Sequence, residues 1–163
     1  MNATGGPPGP ASAAPSRHLP GDGLDRPHLL IATDAGCNSI LHAATRSQRY
    51  AHVTGPLLVL FGAGDSLPFK PRPSTIMVAG LPDGVIACAP SLDEFGIASR
   101  VASTAGLPGC YDGTVFELAD IWLSALDPTL RSQALVIVSG ADETLRAAEE
   151  LGQRMGVSVR ILS

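Results

Sequence analysis

Charge is scarce in this chain of 163 residues. Only 16% of it is Asp, Glu, Lys or Arg, and the eleven basic residues are ten arginines and a single lysine, Lys70. With no basic cluster and a net charge of −4, the sequence offers no broad electrostatic grip on nucleic acid. Cysteine is scarce too. Cys37, Cys88 and Cys110 are odd in number, far apart, and form no C-x-x-C pair, which argues against a disulfide framework and against a zinc site. No apolar run approaches the roughly 20 residues of a membrane span. Nor does a basic stretch followed by an apolar core open the chain, so the expectation is no membrane insertion, no secretory leader and cytoplasmic residence by default. His42 and His52 stand at no helical spacing and H-E-x-x-H is missing, so no metal site is expected. The absence of G-x-S-x-G leaves hydrolase chemistry without support.

What is present falls into two parts. Residues 1–27 hold eleven Gly or Pro and only two large aliphatics, Leu19 and Leu24. So little apolar surface does not offset an ordering cost of about 1–2 kcal/mol per residue, and a flexible tail is expected there. From residue 28 to 163 strand-like and helix-like segments alternate. His28–Thr33 (HLLIAT), 56–63 (PLLVLFGA), 98–103 (ASRVAS), 134–140 (ALVIVSG) and 157–162 (VSVRIL) read as strands, and 74–80 (STIMVAG) as a short strand or extended segment. Helices are expected over 38–48, over 90–95 with Pro90 in the first turn, from a Thr114/Glu117 capping box to about residue 126, and over 142–155. The linker 64–73 carries three prolines, which forbid regular structure. Strands without polar alternation are buried on both faces. Their alternation with helices implies an α/β fold, a doubly wound and mostly parallel sheet of five strands. Ligands of such sheets lie beyond the carboxyl ends of the strands, near the point where strand order reverses. Three loops are expected to meet there: 34–38, 104–113 and 140–142.

The run 69–126, with its pieces PRPS, GLPDGVIA and GLPGCYDG, resembles the nucleotide-binding half of the dihydroorotate dehydrogenase electron transfer subunit. More broadly, residues 27–163 are similar to the C-terminal NAD-binding domain of ferredoxin–NADP⁺ reductase-type flavoproteins. The resemblance implies strand order 3-2-1-4-5 and a pocket for NAD(P). It also implies a flavin barrel and a 2Fe–2S cluster, neither of which has a counterpart in this sequence. FAD and the cluster are therefore expected on a flavoprotein or dehydrogenase partner subunit. The alternative is a non-catalytic accessory or regulatory subunit derived from the same family.

By the resemblance, the cofactor contacts are Thr33, Asp34, Gly36, Cys37 and Asn38 after the first strand. Arg100 with Gly109, Cys110, Tyr111 and Asp112 would meet the far side of the nucleotide, and Ser139 and Gly140 the nicotinamide. No catalytic residue is assigned. The turn after the first strand departs from the family's G-x-G-I-x-P-like pattern, reading Asp34-Ala35-Gly36-Cys37-Asn38-Ser39. Two unit charges ~4 Å apart repel by about 1 kcal/mol in water and about 4 at an effective dielectric near 20. Asp34 thus opposes a phosphate unless it turns away to cap its helix. The family's Cys-Gly-Pro reads Ser139-Gly140-Ala141. The plainer expectations are a turn at Gly109–Gly113, core-filling Cys37 and Cys88, an unreactive Cys110, a surface Arg100, and solvated acids at Asp93–Glu94, Asp142–Glu143 and Glu149–Glu150.

Overall fold

The computed structural model describes residues 25–46, 53–64 and 67–162. In chain order these form β1 (His28–Thr33), α1 (Gly36–Arg46), β2 (Leu57–Ala63), β3 (Arg72–Pro73), β4 (Ala87–Cys88), α2 (Pro90–Glu94) and β5 (Ser99–Ser103). There follow β6 (Tyr111–Asp112), α3 (Val115–Ala125), α4 (Pro128–Gln133), β7 (Leu135–Ser139), α5 (Asp142–Met155) and β8 (Ser158–Ile161). Most of the segment read as a tail lies outside the described residues. Its last residues are tied to the fold: Arg26 Nε donates to Gln133 O at 2.6 Å, and Pro27 O accepts from Leu135 N at 2.9 Å.

The main sheet runs β6-β5-β2-β1-β7-β8, with every neighbouring pair parallel. It therefore holds six strands where five were expected. The order of the five longer strands is the 3-2-1-4-5 that the resemblance implied. The sixth, β6, comes from the middle of loop 104–113. The segment 74–80 is no strand, because the polar groups that would bind a neighbouring strand are engaged elsewhere. Asp93 takes the Thr75 amide and Arg100 takes the Ile76 carbonyl. The linker 64–73, expected to hold no regular structure, supplies β3 of a short antiparallel ribbon with β4, and helix α4 was not anticipated. Yet α4 carries an ordinary start signal: Asp127 caps the Thr129 amide and Pro128 stands in the first turn.

Alternate residues of each long strand serve two separate cores. Leu29 and Ile31 of β1, Leu58 and Leu60 of β2, and Val136 and Val138 of β7 pack under α3 and α5 with Leu118, Trp122, Ala148 and Leu151. Leu30, Ala32, Val59, Phe61 and Ile137 face the other way, under α1 and α2, with Ile40, Ala44 and Leu92. Both faces being dry explains why these strands show no polar alternation. On α1 the buried residues are Gly36, Cys37, Ile40 and Ala44, a stripe at helical spacing. The helix starts two residues before the expected 38, and 47–48 lie outside the described residues. The capping box is present in full: Glu117 N donates to Thr114 Oγ1 at 3.1 Å and Thr114 N to Glu117 Oε1 at 2.8 Å.

Candidate functional site

Because all the strands of the main sheet run the same way, the loops after β1, β5 and β7 leave from one edge. Along that edge the register sets Ser139 beside Ala32, Thr33 beside Gly62, Ala63 beside Ser103, and Ser103 beside Asp112. Strand order reverses between β1 and β7, which is where open α/β sheets take ligands.

The turn after β1 is shaped by two close contacts. Asp34 has φ 50° and its carbonyl accepts from Cys37 N at 3.1 Å, opening α1. Its carboxylate lies over the end of β2, with Oδ1 2.8 Å from where a Cβ on Gly64 would stand. Gly36 presses on the end of β7, so a Cβ there would stand 2.1 Å from Ser139 O. Gly140 is tight as well, its missing Cβ 2.6 Å from Thr33 Oγ1. Above it the Thr33 and Thr144 hydroxyls share a hydrogen bond of 2.6 Å. The resemblance ties Gly36 to the first turn and Gly140 to the nicotinamide; here a Cβ on Gly36 would meet the backbone at the end of β7, and one on Gly140 the side chains of Thr33 and Thr144. Cys37 is fully buried and Asn38 exposed. Burial first, and the Asp34 charge second, push the Cys37 thiol up to about 11.

Loop 104–113 is closed on itself and on the β3–β4 ribbon. Ser103 Oγ accepts from Ala105 N at 3.0 Å, and Leu107 O from Cys110 N at 3.2 Å. Gly109, at φ 75°, is a tight fit: its missing Cβ would stand 3.3 Å from Ile86 Cγ1. Its carbonyl accepts from both Ile86 N, at 2.9 Å, and Ala87 N, at 2.8 Å. Tyr111 is half-buried against the α3–α5 core, Asp112 is exposed, and burial raises the Cys110 thiol. The segment is thus both turn and strand, rather than the turn alone that was the plainer expectation.

Arg100 is the largest departure from expectation. It lies within β5, 5% exposed, so it is no surface arginine. Its Nε donates to Val85 O at 3.0 Å, Nη1 to Ser99 O at 2.6 Å and Nη2 to Ile76 O at 2.5 Å. Asp93 was read as a surface acid and is 8% exposed. Its carboxylate accepts from Ser74 Oγ at 2.6 Å, Thr75 Oγ1 at 2.8 Å and Thr75 N at 3.2 Å. The Ser74 bond foremost, and the Thr75 bonds after it, hold this carboxyl below the usual carboxylate range against burial. Cys88, buried as expected, has its thiol pushed up by burial and by the Asp93 charge. Arg100 stands in a strand-like run, ASRVAS, whose polar residues give no sign that all of them are buried. For Asp93, one turn of helix from Ala89, nothing in the sequence distinguished a buried face from a wet one.

The three loops carry Asp34, Asp112 and Asp142 and no lysine or arginine. Lys70 stands in a mostly apolar groove of about 510 Å³ that it lines together with Ala63, Gly64, Phe69 and, from loop 104–113, Ala105 and Leu107. A second hollow, of about 660 Å³, runs along the outer side of α1 past Asn38, His42 and Arg46 to Leu162. Among the described residues no three His, Cys, Asp or Glu side chains are grouped to hold a metal ion, and His52 lies outside them. No helix of the described residues is long and apolar enough to cross a membrane. Asp142, Glu143, Glu149 and Glu150 are exposed on α5.

The chain matches no family profile and no curated protein at a significant level. Among solved structures it is similar to the ferredoxin reductase of carbazole 1,9a-dioxygenase, at 17% identity and a TM-score of 0.48, over 83% of this chain and 34% of that one. It is also similar to the C-terminal domain of a hydrogenase from Pyrococcus furiosus, at 13% identity and a TM-score of 0.43, over 88% of this chain and 95% of that one. The chain thus spans about a third of the length of the reductase.

Proposed function

We propose that the chain is an NAD(P)H-binding module of an oxidoreductase, similar to part of the dihydroorotate dehydrogenase electron transfer subunit, with flavin and iron–sulfur cluster on a partner chain. The observation that carries this reading is the gathering of the loops after β1, β5 and β7 on one edge, astride the reversal of strand order. The nucleotide's phosphates would lie over the first turn of α1, reached from Thr33, Asp34, Gly36, Cys37 and Asn38, since a helix N-terminus favours anions. Gly109, Cys110, Tyr111 and Asp112 would meet its far side, and Ser139 and Gly140 the nicotinamide. The Arg100 guanidinium, engaged by three carbonyls, is left out of the contact set. The chain's own part is to bind and orient the dinucleotide; hydride acceptance belongs to the partner's flavin. Calorimetric titration with NADH and with NADPH tests the proposal. Saturable heat is the expected result, and silence at millimolar nucleotide would overturn it.

Two observations favour the second reading, a non-catalytic accessory or regulatory subunit derived from the same family. The three loops are acidic, and Gly36 is closed down on Ser139. On this reading the same titration is silent, while the protein still co-purifies with a redox partner from its native source.

A further inference from the structure

The segment 74–86 has no regular structure, yet it is fixed to the sheet at several points, and the same points lead to loop 104–113. Arg100 is the hub. One planar guanidinium reaches carbonyls on three separate stretches of backbone, at Ile76, Val85 and Ser99. Val85 O is held by Nε, and the next two amides, those of Ile86 and Ala87, both donate to Gly109 O. Ser99 Oγ fastens the other end of the ribbon by accepting from Ala89 N at 2.9 Å. Gly109 precedes Cys110 and Tyr111, and Tyr111 begins the edge strand β6. A continuous path of hydrogen bonds therefore runs from the interior of β5, through residues 85–87, to the loop that the function proposed above places against the ligand.

We propose that Arg100 is a positioning residue: from inside the molecule, and through residues 85–87, it fixes the conformation of loop 104–113. The role rests on that functional reading only for its consequence in binding; the conformational coupling stands by itself. Arginine is required because a lysine ammonium is a point charge on a flexible stem and does not hold three carbonyls in one plane. Loop 104–113 then depends on a side chain that no ligand touches.

The test is amide hydrogen exchange of the full chain, wild type against Arg100→Lys. Exchange in 86–87 and 110–113 is expected to quicken by about ten-fold, the scale of losing one hydrogen bond to a charged group. Amides of β1 and β7 should stay within about two-fold, as independent sites do. Cys110 should react with a thiol reagent faster by the same factor, while Cys37, buried under α1, does not. Equal acceleration everywhere, or an unchanged loop, overturns the proposal. If Arg100→Lys does not fold, the wild-type protein decides the matter in rising sub-denaturing urea. Amides 86–87 and 110–113 are expected to open in one step, and separate openings overturn the coupling. Where wild type binds NADH, Arg100→Lys should weaken that binding by about ten-fold as well. Where wild type binds no nucleotide, the proposed function falls while the exchange result still judges the coupling.

Discussion

At the scale of single residues, space and charge act separately at the turn after β1. Gly36 is fixed by space, since a Cβ would stand 2.1 Å from a backbone oxygen that has no rotamer to escape into. Gly36→Ala should therefore destabilise the protein by about 3 kcal/mol or more, as overpacking against backbone does, read as a lowered urea midpoint. Asp34 is set by charge. Asparagine adopts its positive φ readily, so Asp34→Asn removes the carboxylate and little else. If nucleotide binds, this variant should bind NADH about five-fold more tightly, the equivalent of about 1 kcal/mol of relieved repulsion in water, by calorimetry. Asp93 carries the acid dependence of the fold. Its carboxyl binds protons less readily when folded than when unfolded, chiefly because Ser74 and Thr75 donate to it. Its contribution is therefore complete above the unfolded value of about 4 and is lost as pH falls through the lower folded value. Asp93→Asn should flatten the decline in stability below about pH 4, followed by urea melts at stepped pH.

At the scale of elements, legibility followed the range of the forces that form each one. The strands β1, β2 and β7 were readable because both faces are dry, which leaves a largely apolar run; β5, which carries Ser99, Arg100 and Ser103, is buried just as fully. Helix α3 was readable because its capping box is closed within four residues. Thr114→Ala should cost about 1 kcal/mol, visible as a lower thermal midpoint. The elements that escaped reading depend on partners distant in sequence. β6 exists because Tyr111 and Asp112 find Ala102 and Ser103. The ribbon β3–β4 exists because residues 72–73 meet 87–88 across a long excursion. The segment 74–80 read as a short strand or an extended segment from its Thr, Ile and Val. It is coil because Asp93 and Arg100 take its polar groups first, a tertiary choice that local propensity does not contain. The candidate site divides the same way. Its loops and their common edge follow from strand polarity, whereas the inward turn of Arg100 and the packing role of Gly36 appear only with the neighbours in place.

At the scale of the whole molecule, the carboxyl edge of the sheet joins a fold that gathers ligand-binding loops to a set of loops bearing only negative charge. An anion approaching three carboxylates is repelled over a Debye length, which shrinks from about 30 Å at 0.01 M salt to about 8 Å at 0.15 M. Any NADH affinity should therefore rise with ionic strength over that range, opposite to the trend at a cationic phosphate site. Titrations in graded potassium chloride measure it, and a falling affinity would mean that Lys70 or another cation dominates the approach.

Gly36 and Gly140 also bear on how such a chain changes over generations. A lineage with no use for a dinucleotide could replace exposed loop residues one by one, but Gly36 only at the expense of the backbone it presses on, and Gly140 only by shifting Thr33 and Thr144. Glycine at these two positions would then record architecture. If a nucleotide does bind, its mark belongs instead at exposed positions such as Asp34, where charge can change without disturbing the buried layers.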